Sequence, residues 1–433
     1  MQYTLGCLVT KYREQLGMTK SQFCKEARLS GTVLDKIEKG TTRHPEIRTI
    51  KKIIDFLKIP FSEFSRAYIQ QSETKKGIIE FILSETLKLK DTELIHSIIE
   101  QYVLVANPEA SISLHQLIKI AEETNDRECA ATLYSSISKQ AMVYRENEIM
   151  ARALMREYLL MRDFVEKDTF YLGKRLIEFA YLLPIEERLE AYYRVGVHAQ
   201  FIRRFKESNE ILTFVINHGV ITKWTEKSFF VIYNNFIKMN DVACAEQYLN
   251  EYIRLFNKAG EPHVLLDRAL IVSKKGEYQQ AILLLTDFVS NYPENINTII
   301  AVNELTKIYI KLGRAVDAQE LFSLENTFNE YLEKNISAGP FYKYEYGIYL
   351  GLKARVLFIL NNAKEGGALL LKSIRLYAKM KMKTELLNSL QTLLTLTLAN
   401  GRLLNDFTNQ PFYGLDKAMQ FELKEIIEFY NID

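Results

Sequence analysis

The sequence predicts an all-α protein: a compact five-helix head followed by a long array of paired helices. Three observations predict it. Eight prolines and eighteen glycines are few for 433 residues, while Leu, Ile, Glu and Lys abound, so little interrupts helix. Residues 4–64 carry short apolar stripes at helical spacing, separated by tight turns. Downstream, a small residue recurs at Ser208, Ala245, Ala281 and Ala318, at spacings of 37, 36 and 37, which marks an internal repeat.

In the head, Leu5, Leu8, Val9, Tyr12 and Leu16 share one face of a first helix over 4–16, which Gly17 ends. Thr19 is placed to cap a second helix whose inner residues are Phe23, Cys24 and Ala27. Ser30 is placed to cap a third, with Val33, Leu34 and Ile37 inward and Gly40 at its end. Pro45 fits the entry to a fourth helix with Ile47, Ile50, Ile53, Ile54 and Leu57 on its inner face. The stretch from Leu57 to Phe61 leads into a short fifth helix ending near Phe64.

Charge separates the head from the rest. Residues 1–66 hold 13 Lys and Arg against 7 Asp and Glu, a balance of +6, which leaves −4 for the remainder of a chain whose net charge is +2. A basic head on a mildly acidic body suits nucleic-acid contact by the head alone. At 48% hydrophobic and 25% charged residues the composition is that of a folded soluble protein. Cys7, Cys24, Cys129 and Cys244 are scattered, which fits small buried hydrophobes in a reducing cytoplasm. The six histidines fall singly, without metal-ligand spacing, so neither a metal nor a cofactor is expected. No Walker A loop, GxSxG, HExxH or dinucleotide fingerprint occurs, and no enzyme activity is expected. No apolar run approaches the roughly 20 residues that span a bilayer. The head begins almost at once, without room for a signal peptide, so no membrane partner and a cytoplasmic location are expected.

The five-helix order resembles the lambda-repressor/Cro-like (XRE-type) helix-turn-helix domain. The likeness covers residues 4–64 and rests on Arg13, the Gly-x-Thr start of helix 2, the Ser start of helix 3 and the ending Ile37-Glu38-Lys39-Gly40. It implies a structural ion pair between Arg13 and Glu38, and a third helix that enters the major groove. Gly31, Thr32, Asp35 and Lys36 then face bases, Lys36 donating to guanine edges and Thr32 touching a thymine methyl or a phosphate. Gly31 departs from the long polar residue usual there, which removes one base contact. Lys20, Thr41, Thr42 and Arg43 are expected on phosphates. One such module reads only a half-site, so a homodimer on a two-fold-related double-stranded DNA operator is expected.

The repeat resembles a tetratricopeptide array, in which small residues let antiparallel helices pack closely. Its period exceeds the usual ~34. A poorer match near Leu172–Pro184 suggests an earlier unit, and Gly367–Leu371 a later one. In such an array the first helices line a concave wall. That wall takes Tyr193, Val197, Gln200 and Phe201, then Lys227, Phe230, Asn234 and Lys238. It continues with His263, Leu266, Leu270 and Lys274, and with Asn303, Lys307 and Lys311. Asparagine amides pair with a peptide backbone, lysines hold carboxylates and apolar positions seat side chains, so the wall suits an extended peptide.

A helix-turn-helix head on a tetratricopeptide body resembles the RRNPP family of peptide-sensing regulators (the Rgg, NprR, PlcR and PrgX kind). The resemblance implies a cytoplasmic transcription factor whose groove binds a short signalling peptide, with asparagines such as Asn234 and Asn303 clamping its backbone. The alternative is a DNA-bound scaffold that docks a protein partner without a peptide signal. The expected organisation is head 1–66, helical linker 67–106, sensing array 107–384 and capping or dimerisation helices 385–433.

Overall fold

The computed structural model describes residues 4–42, 45–70, 75–106, 109–162, 167–334, 340–380 and 382–403, and among them the regular structure is entirely helical. The chain divides into two compact units, residues 1–228 and 229–433.

In the first unit the head consists of α1 (Leu5–Gln15), α2 (Lys20–Glu26), α3 (Gly31–Glu38), α4 (Ile47–Leu57) and α5 (Phe61–Ile69). The Thr4 hydroxyl accepts from the Cys7 amide, and Gly17 closes α1 at φ 65°. Thr19 and Gln22 form a reciprocal capping box on α2. Ser30 stands at the N-cap of α3, but its side chain makes no capping hydrogen bond. Leu8, Val9, Phe23, Leu34, Ile50, Ile53, Leu57 and Phe64 fill the core. Gly6 sets how closely α1 crosses α3, because a Cβ there would lie 2.6 Å from the carbonyl oxygens of Ile37 and Glu38.

The fifth helix outruns its expected end near Phe64. Ala67, Tyr68 and Ile69 are all buried and carry α5 on to Ile69, so the boundary expected at residue 66 falls inside a helix. The segment expected as a linker is not a connecting rod. Helices α6 (Lys76–Leu89) and α7 (Thr92–Val105) form a hairpin that folds back on α5. Phe61 and Phe81 meet edge to face at 6.0 Å, and Arg66 pairs with Glu93 at 3.3 Å. One buried apolar cluster runs without a break from Leu5 to Ala199.

The unit continues through α8 (Ala110–Glu123), α9 (Arg127–Val143), α10 (Asn147–Met161), α11 (Lys167–Phe179), α12 (Ile185–Phe201) and α13 (Phe205–Asn217) to the start of α14 (Lys223–Met239). Near Leu172–Pro184, where an earlier repeat is expected, α11 packs against both α10 and α12 and passes into a 3-10 turn at Ala180–Leu182. The second unit takes the rest of α14, then α15 (Val242–Phe256), α16 (Pro262–Lys274), α17 (Tyr278–Asn291), α18 (Thr298–Lys311), α19 (Ala315–Glu320), α20 (Glu325–Lys334), α21 (Pro340–Ile359), α22 (Ala363–Lys379) and α23 (Lys383–Leu403). The capping segment expected from 385 begins inside α23, which packs on α22 and α21; residues 404–433 lie outside the described ones.

The repeat is written in the hairpin corners. Arg203, Asn240, Gly276, Gly313 and Asn361 all adopt left-handed φ between 61° and 85°. At each corner the next amide reaches back five residues to a carbonyl, as from Arg204 to Ala199, Asp241 to Phe236, Glu277 to Val272, Arg314 to Tyr309 and Asn362 to Leu357. Five residues beyond each corner lies the small crossing residue: Ser208, Ala245, Ala281 and Ala318, all at 0% exposure, and then Gly366. The last unit is therefore registered on Gly366, one residue before the expected Gly367. At Gly196 a Cβ would come within 2.5 Å of Leu212, and Ser208 donates its hydroxyl proton to the Gly196 carbonyl at 2.7 Å. Ser373 does the same to Gly347 at 2.9 Å.

Candidate functional site

The head presents α3 along its surface. Gly31, Thr32 and Lys36 are exposed, and a Cβ at Gly31 would meet nothing within 4 Å. Beneath them, the Arg13 Nε donates to Glu38 at 2.7 Å and another guanidinium nitrogen donates to the Met18 carbonyl at 2.7 Å. Arg13 is 6% exposed. The bond to Glu38 raises its pKa. The expected ion pair is present, with the guanidinium fork shared between a carboxylate and a carbonyl.

That pair opens onto a chain of charges. The Lys20 ammonium lies 3.0 Å from Glu38 and 2.8 Å from Asp35, and Asp35 also takes Lys39 at 2.6 Å. The hydrogen bond from Lys20 holds the Asp35 carboxyl below the usual carboxylate range, and Lys20 is raised in return. Lys20 and Asp35, each expected on DNA, are thus partners of one another. Lys36 is the exposed cation of α3 that makes no ion pair among the described residues. The Thr41 hydroxyl is spent inside the protein: it donates to the Lys36 carbonyl at 3.1 Å, which also accepts the amides of Thr41 and Thr42. Its hydroxyl proton is thus directed at a carbonyl near the end of α3, while the residue itself stays exposed. Thr42 is half-buried, and Arg43 lies outside the described residues. Sequence reasoning missed Lys39; its i,i+4 spacing from Asp35 was the signal.

The residues expected on a peptide-binding wall fall in both units. In the first, Tyr193, Gln200 and Phe201 are half-buried and Lys227 is exposed. The Tyr193 ring lies 5.1 Å from that of Trp224, over which Lys227 is placed at 5.4 Å; burial pushes the Tyr193 hydroxyl pKa up. In the second, Phe230 is 39% exposed and meets the His263 ring at 5.6 Å. Asn234 is half-buried and donates its amide to the Phe230 carbonyl of its own helix at 2.9 Å. His263 and Leu270 are half-buried, Lys274 is exposed, and Lys311 reaches the Tyr278 hydroxyl.

Two of the expected wall residues offer no surface. Leu266 is 2% exposed and belongs to the core around Ala281 and Leu305. Asn303 is 1% exposed and donates to the backbone oxygen and to the carboxylate of Glu345, both at 3.1 Å. The cause is that α21 packs directly against α18 and covers the face that carries Asn303.

The lysines of this wall are not alone either. Lys238 faces Glu345 at 3.7 Å and Lys307 faces Glu304 at 3.1 Å. Three carboxylates, missed by sequence reasoning, lie buried on successive first helices: Asp267 on α16, Glu304 on α18 and Glu345 on α21, at 5%, 8% and 4% exposure. Burial pushes Asp267 up to about 7, against a hydrogen bond from the Tyr233 hydroxyl at 2.9 Å. Burial also pushes Glu304 up, but Lys307, Ser273 and Lys274 outweigh it, and its carboxyl sits below the usual range. Among the described residues no group of His, Cys, Asp and Glu is arranged to hold a metal ion, and no helix is long and apolar enough to cross a membrane.

Residues 9–64 match the helix-turn-helix family HTH_3, so the head is a helix-turn-helix DNA-binding domain of the XRE type. No curated protein matches the sequence. Among solved structures, the chain is similar to a tetratricopeptide repeat protein from Parabacteroides merdae, at 11% identity and TM-score 0.48, over 64% of this chain and 98% of that one. It is similar to a human IFIT1 dimer with m7Gppp-AAAA, at 10% identity and TM-score 0.39, over 100% and 90% of the two chains. It is also similar to a signal transduction ATPase with a tetratricopeptide repeat sensor from Pyrococcus horikoshii, at 11% identity and TM-score 0.38, over 100% and 73%.

Proposed function

We propose that the protein is a non-enzymatic transcription regulator of the cytoplasm, a homodimer that reads an operator with α3 and binds a short signalling peptide on its helical array. The peptide favours one arrangement of the array and so changes the affinity of the head for DNA. The observation that carries the reading is the unbroken apolar cluster from Leu5 to Ala199. A DNA-reading head on a flexible tether would not feel its body; this head shares a core with it, through α5, α6 and α7. The exposed amino-terminal half of α3 supports the DNA step, and the mixed apolar and polar face of the first helices supports the peptide step.

The test is fluorescence anisotropy of the full chain on the DNA upstream of its own gene, repeated with the short peptides encoded beside it. Salt-sensitive binding that one peptide shifts supports the reading and gives the sign of regulation. Tight binding that no peptide alters points instead to a DNA-bound scaffold for a protein partner.

A further inference from the structure

The second unit carries a group of buried acceptors that is only partly satisfied. Glu345 Oε2 accepts the Asn303 amide at 3.1 Å. Its Oε1 has Lys238 at 3.7 Å, which is too long for a hydrogen bond. Beside it the Asn303 Oδ1, in a side chain 1% exposed, has no hydrogen-bond partner. Lys238 belongs to the last turn of α14 and pairs with Glu345 on α21. Its side chain remains 46% exposed, at the end of a long flexible stem.

We propose that this cluster is the specificity site for a positively charged group of the ligand, a guanidinium or an ammonium, held by the Glu345 carboxylate above the buried Asn303 amide, with Lys238 as the resident cation that the ligand displaces. The inference rests on the peptide-sensing reading and reverses the charge that the lysines alone suggest. A guanidinium has five N–H donors and no acceptor, so it matches a site made of acceptors. A carboxylate of the ligand would meet the Glu345 carboxylate and would be repelled. Lys238 and Lys307 are already committed to Glu345 and Glu304. The exchange is also cheap, because an exposed lysine in a long ion pair returns to water with little loss.

The experiment uses three pools of capped pentapeptides that differ only in the central residue, Arg, Gln or Glu, and measures their retention on the immobilised full-length protein. The Arg pool should be retained about tenfold better than the Gln pool, a difference that one charge-assisted contact supplies. Glu345→Gln, which keeps an acceptor for Asn303, should erase that preference. Lys238→Ala should increase retention of the Arg pool, because it removes the competitor. Should Glu345→Gln fail to fold by circular dichroism, the sign of the Lys238→Ala effect decides alone. Weaker Arg-pool retention in Lys238→Ala, preference for the Glu pool, or equal retention of all three would overturn the cationic site. If a peptide still shifts DNA binding in those cases, peptide sensing survives and only the charge assignment falls. Retention of no pool, together with DNA binding that no peptide shifts, overturns both.

Discussion

At the residue scale, the head is organised by alternating charges that run from Arg13 through Glu38, Lys20 and Asp35 to Lys39. Only the Arg13 end is buried, and energy concentrates there. Arg13→Ala leaves the Glu38 carboxylate, itself 4% exposed, with Lys20 as its remaining cation, and should lower the unfolding free energy by about 3 kcal/mol in a urea titration. Lys36→Ala should leave the thermal midpoint in place and reduce discrimination between operator and random DNA by roughly 1–3 kcal/mol, read from parallel anisotropy titrations. The Arg13–Glu38 pair was legible in the sequence because both residues stand in a recognisable motif. The work of Thr41 and Asn303 was not. A lone polar residue on a helix face reads as exposed until the packing element is known, and what covers Asn303 is a helix that begins 37 residues later.

At the element scale, the repeat was legible because a close helix crossing admits only small side chains, and that demand shows in the sequence at fixed spacing. The left-handed corners were less so, since Arg203, Asn240 and Asn361 occupy them as well as glycine. They differ in cost. An arginine at φ 63° bears a strain of roughly 1 kcal/mol that glycine does not, so Arg203→Gly should raise the stability of the first unit by about that amount. Gly313→Ala, at φ 73°, should lower the second unit's by a similar amount. Calorimetric midpoints moving in opposite directions would check the pair. The interval from Gly313 to Asn361 is 48 residues instead of about 37, and the excess is the region of α20. Sequence spacing lost the register there, because an insertion leaves the chemistry of the crossing intact while shifting its count. The end of α5 was lost for another reason: Ala67, Tyr68 and Ile69 read equally well as the start of the next helix.

At the scale of the whole molecule, one buried group in each unit should respond to acid with opposite sign. In the first, His198 is 6% exposed against Tyr158 and Phe170, and burial holds its pKa down at about 4. Its neutral form is the folded one, so the stability it contributes is present above pH ~6.5 and is lost as pH falls through about 4. In the second, Asp267 is raised to about 7 from an ordinary 3.8, so its contribution is full below that ordinary value and is lost as pH rises through 7. Moving from pH 7 to pH 5 should therefore diminish the His198 contribution to the first unit and restore the Asp267 contribution to the second. Comparing each midpoint with that of His198→Gln or Asp267→Asn isolates the two groups, since each substitution should flatten only its own unit's pH dependence.

The shared core of the first unit also bears on how such a chain can change over evolutionary time. Cutting after residue 66 to graft the reading module onto a foreign sensor would sever α5 and strip Phe61 of Phe81, leaving a greasy flank in water. A viable chimera has to carry α6 and α7 along with it. On the proposed reading, new operators are then acquired more readily by altering the open positions of α3, such as Gly31 and Lys36, than by trading whole modules.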